Sequence, residues 1–131
     1  MDQEEIIKLR EHLRRSFGND AINVVPNSRD ENAAEVRLTE RKIGAIAVDE
    51  EDGDRSFFFE MPLPVERAGL QDYLRKLFDN NKLTIAARVK KMDSVELNNG
   101  PDFLAVISAD DAKAKTYTLE MAILDIDLDD I

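Results

Sequence analysis

The sequence predicts an α+β protein in which one helix and four antiparallel strands occur twice in tandem. The first observation is an internal repeat: at an offset of 61 residues, Leu13-Arg14-Arg15 aligns with Leu74-Arg75-Lys76. One residue is then lost, and at an offset of 60 Ala45 aligns with Ala105 and residues 57–61 with residues 117–121. The second observation is that, in each half, the apolar spacing changes from the helical period to the two-residue period of strands. We therefore expect repeat one over residues 1–63 and repeat two over residues 64–131.

The two repeats are expected to fold against each other. A unit of about 60 residues buries too little apolar surface to be secure alone. The connection Pro62-Leu63-Pro64 is too short for independent motion of the halves. Residues 1–131 are therefore predicted to form a single domain, a two-layer body with an internal pseudo-twofold axis.

Capping and stop signals place the two helices. Asp2 and Glu5 have the spacing of a capping box, and Gly18-Asn19 suits a left-handed helix end. Pro64 suits the first turn of the second helix, which Asp79-Asn80-Asn81 ends. The apolar stripes expected to face the sheet are Ile6, Leu9, Leu13 and Phe17, and then Leu70, Tyr73, Leu74, Leu77 and Phe78.

Alternating apolar residues separated by turn residues predict the strands. The turns are Pro26-Asn27-Ser28, Asp52-Gly53 and Asn99-Gly100-Pro101. The predicted strands cover residues 22–25, 34–39, 42–48 and 55–61, and then 82–89, 93–97, 103–108 and 115–127. The last one is prolonged because Leu124, Ile126 and Leu128 alternate with aspartates. It is expected either to pair within the protein or to offer an edge to a partner, with its aspartates guarding that edge.

Composition excludes several classes of function. The 131 residues include 28 acidic and 18 basic side chains, one histidine and no cysteine, for a net charge of −10. Disulfides, thiolate metal sites and cysteine nucleophiles are thus excluded, and the basic excess of a nucleic-acid binder is absent. The N-terminus does not resemble a signal peptide, and no apolar run approaches the roughly 18 residues of a membrane span. We expect a cytoplasmic protein without a cofactor.

Three acid–base or metal features invite a chemical interpretation. The acidic turn 49–54 fails as an EF-hand, because Val48 and Phe59 stand where the first and last ligands are required. It is interpreted as a solvated hairpin turn. Glu60 and Glu120 recur at equivalent places and could form a carboxylate pair, although their strand parity predicts exposure to solvent. His12, whose counterpart is Tyr73, is interpreted as a surface or half-buried side chain.

Surface features favour an interaction role. Both helices carry a basic edge, Arg14 and Arg15 on the first and Arg75 and Lys76 on the second. These cations either pair with neighbouring groups or dock an acidic partner. Phe58 must face away from Phe57 and Phe59, which places an aromatic ring on the polar face of the sheet. The complete set of candidate interaction residues is Phe58, Arg14, Arg15, Arg75, Lys76, Leu124, Ile126 and Leu128.

Three segments of the second copy carry a recognisable pattern: residues 70–78 (LQDYLRKLF), 90–96 (KKMDSVE) and 119–125 (LEMAILD). On these segments the copy resembles a small bacterial family of unknown function, domain-of-unknown-function family three-one-two-six. The first copy shares the pattern at residues 13–19 and in the acidic turn 49–54. The family typically has this unit once, which implies that a single-copy relative reaches the same body by dimerising. The resemblance implies no activity, cofactor or catalytic residue.

We expect a small, acidic, non-enzymatic interaction or adaptor module with a protein partner, and a secretion-chaperone-like escort is one form of it. The alternatives are a carboxylate-based ligand binder or enzyme at the repeat interface and a clamp-like assembly on nucleic acid. A homodimer is a further expected partner arrangement. A membrane is not expected as the partner, and nucleic acid is the least favoured one.

Overall fold

A computed structural model describes residues 1–129 and 131. Helix α1 spans Gln3–Phe17 and helix α2 spans Leu70–Phe78, with short 3₁₀ turns at Arg67–Gly69 and Asp125–Leu128. The strands are β1 Ile22–Pro26, β2 Ala33–Leu38, β3 Arg41–Glu51, β4 Asp54–Leu63, β5 Leu83–Arg88, β6 Lys91–Asn99, β7 Asp102–Ala109 and β8 Tyr117–Leu124.

All eight strands form one antiparallel sheet in the order β1-β2-β3-β4-β8-β7-β6-β5. The predicted α+β class, with two helices and antiparallel strands, is confirmed. The halves of the chain join where β4 pairs with β8, from Ser56 opposite Leu124 to Leu63 opposite Tyr117. Each half therefore contributes four neighbouring strands, and the seam between the halves runs down the middle of the sheet.

The strand register corrects the alignment of the two halves. Ala34 pairs with Ile46 in the first half and Val95 with Ile107 in the second, so the offset of 61 persists through β3. The expectation that Ala45 aligns with Ala105 is wrong. The change of offset by one residue lies farther along the chain, in the connection between the last two strands of each half. This connection is Asp52-Gly53 between β3 and β4, and residues 110–116 between β7 and β8. Loops absorb a deletion more readily than a paired strand, where a one-residue slip would reverse every side chain.

The start and end of α1 follow the predicted local chemistry. The backbone N–H of Glu5 donates to the Asp2 carboxylate (2.8 Å), and the N–H of Asp2 donates to Glu5 Oε1 (3.1 Å). This reciprocal pair is the predicted capping box. Gly18, with φ 64°, and Asp79, with φ 49°, end the two helices in the left-handed conformation.

The second helix begins later than the sequence predicts. Pro64 is not in its first turn, because α2 starts at Leu70 after the 3₁₀ turn. Leu63 is still paired with Tyr117 in the sheet, and Glu66 is extended, with ψ 167°. The chain therefore needs residues 64–66 to leave the sheet before it can turn into a helix.

The last strand is shorter than predicted. β8 ends at Leu124, and the prediction that it continues to Asp127 is wrong. The Asp127 carboxylate accepts a hydrogen bond from the Leu124 N–H (2.9 Å), which closes a 3₁₀ turn. The neighbouring strand offers little further pairing, since β4 begins at Asp54, only two residues beyond Ser56, the partner of Leu124. The turn buries Leu128, which is 3% exposed, so this residue does not lie on a free strand edge.

Both helices and one face of the sheet share a core. The Phe17 ring stacks on Phe78 with centroids 4.4 Å apart and meets the edge of Phe59 at 6.2 Å. Asn19 Nδ2 donates to the Phe78 carbonyl (2.7 Å), and Asn80 Nδ2 donates to the Phe17 carbonyl (3.0 Å). The helix ends of the two halves are therefore tied together by rings and by reciprocal hydrogen bonds.

Candidate functional site

One end of the sheet carries three large apolar side chains in solvent. Phe103, near the start of β7, is 58% exposed, Leu124, at the end of β8, is 52% exposed, and Ile126, in the 3₁₀ turn, is 70% exposed. We call these three residues the end patch. The turn that buries Leu128 also presents Ile126 outward. In β7 a register shift opposite Leu97 and Asn98 places the buried Leu104 directly after the exposed Phe103. The fold therefore holds the patch on ordered elements.

Two grooves adjoin at Ile126. The first, of about 600 Å³, lies between α1 and the start of β7, and Phe103 and Ile126 line it together with Arg15 and His12. Its carboxylates come from Asp102, Asp127 and Asp129. The structure thus brings together two of the predicted interaction residues, Arg15 and Ile126, that are far apart in the sequence.

The second groove, of about 570 Å³, has a strongly acidic rim. Leu124 and Ile126 form its apolar side. Its carboxylates belong to Asp49, Glu51, Asp52, Asp54 and Asp125. Arg55 also lines it, but this guanidinium already pairs with Glu5 and Glu50. The end patch is therefore apolar in the middle and acidic at its borders.

The first half of the chain lacks such a patch. The counterpart of Phe103 in the first copy is Lys42, because Phe103 pairs with Asn98 in the same way that Lys42 pairs with Arg37. The counterparts of Leu124 and Ile126 are Pro64 and Glu66. The corresponding cleft lies between the start of β3 and α2, measures about 190 Å³ and is lined by Lys42, Tyr73 and Leu77, among others. The fold consequently does not require exposed apolar residues at positions 103 and 126. Sequence reasoning missed Phe103, although a comparison of positions 42 and 103 between the copies could have found it.

Two of the predicted basic residues have structural partners. Arg14 Nε donates to the Ile22 carbonyl (2.8 Å), and Arg75 Nε donates to the Leu83 carbonyl (2.7 Å). Each bond ties a helix to the first strand of its own half. Arg15 and Lys76 are exposed, and of the two only Arg15 lines a groove beside the end patch.

Phe58 lies on the helix-free face of the sheet, as its strand parity predicts. It is half-buried, and its cross-strand partners are the small residues Ala47 and Ala122. On the same face Glu60 and Glu120 are exposed and stand directly opposite each other. Glu60 lines a shallow depression of about 370 Å³ whose lining does not include Glu120. The two carboxylates are therefore neighbours in an open setting.

Neither a metal cluster nor a membrane-spanning helix is found in the described part of the chain. Over residues 1–129 and 131, no three His, Asp or Glu side chains converge as a metal site would require, and this includes the acidic turn 49–54. Neither described helix is long and apolar enough to span a bilayer.

Beside the second groove, the ion pair between Arg55 and Glu5 shifts the pKa of both side chains. Arg55 donates to Glu5 through Nε (2.6 Å) and Nη2 (3.0 Å), and its other nitrogen bonds Glu50. The hydrogen bond to Arg55 lowers the pKa of Glu5 against an opposing effect of burial, and the bond to Glu5 raises the pKa of Arg55. Since Arg55 is on β4 and Glu5 on α1, the pair fastens the helix to the strand next to the acidic turn.

The variant Glu5→Gln is expected to make the free energy of unfolding less dependent on pH in the acid range. A carboxyl group with a lowered pKa in the folded state stabilises the protein above its unfolded pKa of about 4.3, and that stabilisation is lost as the pH falls through the folded pKa. The variant should lose about 1 kcal/mol at neutral pH and little in strong acid. Urea unfolding across this pH range measures it. Glu50→Gln is the control with a smaller loss, and an equal loss at all pH values would contradict the ion-pair interpretation.

Fold and surface together define a two-helix, single-sheet α+β protein with a duplicated unit. The model of the family described as "Protein of unknown function (DUF3126)" matches residues 5–66 and again residues 66–127. The chain belongs to this family, and it carries the family unit twice, as the resemblance in both copies indicates. No curated protein matches the chain significantly. No solved structure does so either.

Proposed function

We propose that the protein is a non-enzymatic interaction module that binds a basic, partly apolar segment of a partner protein at the end patch. The observation that carries this proposal is the cluster of three exposed apolar side chains, Phe103, Leu124 and Ile126, bordered by carboxylates. Exposed apolar surface within a polar rim is typical of protein-binding sites. With no cysteine in the chain, the cytoplasm is the compartment we favour.

The chemistry of the patch specifies the kind of partner. Covering a large apolar side chain contributes about 1.5–3 kcal/mol, so Phe103 and Ile126 are the expected anchors. The carboxylates of Asp102, Asp125 and Asp127 at its borders attract lysine or arginine and disfavour acidic competitors. Arg15, at the edge of the first groove, suits a carboxylate at one end of the bound segment.

We further propose that a pseudo-twofold axis relates the two copies and passes between Glu60 and Glu120. Three register facts support it: Glu60 pairs with Glu120, Phe59 with Met121, and Met61 with Leu119. A shift of 60 residues converts the pair Phe59–Met121 into the pair Leu119–Met61 and leaves the pair Glu60–Glu120 unchanged. Duplication would let the second copy diverge into a binding site while the first kept the charged residues Lys42 and Glu66 at the equivalent positions.

Site-specific crosslinking in cells tests the proposed function. A photoreactive amino acid is placed at Phe103 or Ile126. Its matched controls replace the counterparts in the first family unit, residues 5–66, which are Lys42 and Glu66. We expect a partner to crosslink from positions 103 and 126 and not from 42 and 66. The partner's crosslinked segment should contain lysine or arginine next to apolar residues.

A double substitution supplies the second arm of this test. The variant F103K/I126E puts the first-half residues into the patch, and since both side chains are exposed, its melting temperature should change little. Crosslinking from a third position, Ser16 in the lining of the first groove, should then fall at least tenfold. No crosslinked partner from 103 and 126, or equal yields from 42 and 66, would overturn the proposal.

A further inference from the structure

The tip of the hairpin formed by β5 and β6 carries the two most exposed large apolar side chains of the described residues. Val89 is 86% exposed and Met92 is 91% exposed. Lys90 and Lys91 lie between them, and Lys90 takes a positive φ of 64° that tightens the turn. We call residues 89–92 the hairpin tip. It is apolar and basic in a chain whose net charge is −10.

The fold does not need this composition. At an offset of 61, the hairpin tip aligns with Ser28, Arg29, Asp30 and Glu31 in the connection between β1 and β2. There the two apolar positions are a serine and a glutamate, both exposed, and the chain still forms the equivalent pair of strands. Because solvent exposure of valine and methionine stabilises nothing in the monomer, the tip invites an intermolecular explanation.

The tip and the end patch lie at opposite ends of the strands. Following the sheet from β5, Arg88 pairs with Lys91, Ser94 with Ser108 and Ala109 with Tyr117, so the tip is at the end where β8 begins. Leu124 is at the other end of β8, opposite Ser56. One molecule therefore cannot place its tip on its own patch.

We propose that the hairpin tip docks on the end patch of a second copy of this chain, head to tail. The inference rests on the proposed function, since it names a second copy as an occupant of the same patch. Val89 and Met92 would cover Phe103 and Ile126, while Lys90 and Lys91 would meet the carboxylates of Asp125 and Asp127.

Charge complementarity selects this occupant. The tip's own surroundings are basic as well: Arg88 bonds Ser94 (3.0 Å), and Arg67 Nη1 lies 3.5 Å from the Met92 carbonyl. Asp93 is the neighbouring carboxylate. At physiological salt, interactions between charges more than about 8 Å apart are largely screened. The long-range repulsion between two acidic molecules is therefore weakened more than the attraction between the lysines and aspartates at the contact.

The geometry also predicts the form of the assembly. Each chain offers one tip and one patch, so the contact is heterologous and can grow into open chains rather than stop at a dimer. A hairpin tip covers little area, and small interfaces are weak. We expect a dissociation constant on the order of 0.1–1 mM.

Mixing two complementary variants tests the inference by sedimentation equilibrium of the full chain. The tip variant V89S/M92E carries the first-half residues at the hairpin tip, and the patch variant F103K/I126E carries them at the end patch. Wild-type protein should show a mass that rises with concentration beyond a dimer. Each variant alone should stay monomeric, with association weakened at least tenfold. An equimolar mixture should form a one-to-one dimer and nothing larger, because it keeps one intact tip and one intact patch.

Several results would overturn the inference. Wild-type protein that stays monomeric up to about 1 mM would do so. A mixture that stays monomeric would also do so, as would a tip variant that associates like the wild type. Wild-type protein that pellets with anionic vesicles through the tip, while staying monomeric, would assign the tip to a lipid surface instead.

The same measurements separate the inference from the proposed function. If crosslinking at Phe103 finds another protein while the wild type stays monomeric, the inference fails and the proposed function stands. If variant mixing yields the dimer and crosslinking finds only a second copy of this chain, the inference stands and a foreign partner at the patch is ruled out.

Discussion

Replacing Phe17 with alanine is expected to lower the free energy of unfolding by about 4 kcal/mol. The ring is fully buried and stacks on Phe78 at 4.4 Å, with Phe59 at its edge. Removing it would leave a cavity between both helices and the middle of the sheet, where little can move to fill it. Urea unfolding followed by circular dichroism measures the loss.

Conservative and combined variants control this prediction. Phe17→Leu keeps most of the volume and should cost less, about 1.5 kcal/mol. The double variant F17A/F78A should cost less than the sum of its parts, because the two rings contact each other. Since the rings come from different halves, unfolding should remain a single transition, which also tests the expectation of one domain. Two separate transitions, or a loss below about 1 kcal/mol for F17A, would contradict the interpretation.

Replacing Gly44 with alanine is expected to destabilise the protein by about 3 kcal/mol. A β-carbon at this buried position of β3 would lie 2.4 Å from the Glu60 carbonyl oxygen and 2.8 Å from Cε1 of Phe59. The first neighbour is backbone in the middle of the sheet, so relief requires β3 and β4 to separate. Thermal unfolding of the purified variant measures the effect.

The chain itself offers controls for this substitution. Gly69→Ala places its β-carbon 3.6 Å from Val65, an ordinary contact, and should be nearly neutral. In the second half, the counterparts of Gly44 and Phe59 are Ala105 and Leu119, both buried. The combination G44A/F59L should therefore recover the part of the loss caused by the ring. The steric explanation would be refuted if G44A were as stable as the wild type. It would also be refuted if F59L destabilised G44A as much as it destabilises the wild type.

Much of the fold could be predicted because its signals are local or repeated. The Asp2–Glu5 capping box and the left-handed helix ends at Gly18 and Asp79 each depend on a few neighbouring residues. The duplication was visible because corresponding residues keep their spacing. Predictions failed where distant strands decide the outcome: α2 begins late because Leu63 is still paired, and β8 ends at Leu124, where β4 offers only two further residues for pairing.

The candidate site was predicted less completely than the fold. The sequence pattern indicates Leu124, Ile126 and Arg15 as interaction residues, but it places Ile126 on a strand rather than in a 3₁₀ turn, and it does not indicate Phe103. Arg14 and Arg75 resemble free surface cations in the sequence, whereas each is hydrogen-bonded to a strand carbonyl. A side chain's sequence neighbours do not reveal which distant backbone oxygen lies within its reach.

The sequence by itself determined that the chain consists of two related units, each with a helix that has defined ends and strands with a defined inward face. Only the tertiary structure decided that β4 and β8 join the units into one sheet. It also decided that, at one end of the sheet, Ile126 shares one groove with Phe103 and another with Leu124. The physical reason is the distance along the chain over which each kind of interaction acts. Backbone capping and alternation act over a few residues, while exposure and proximity depend on packing between segments that the chain order keeps apart.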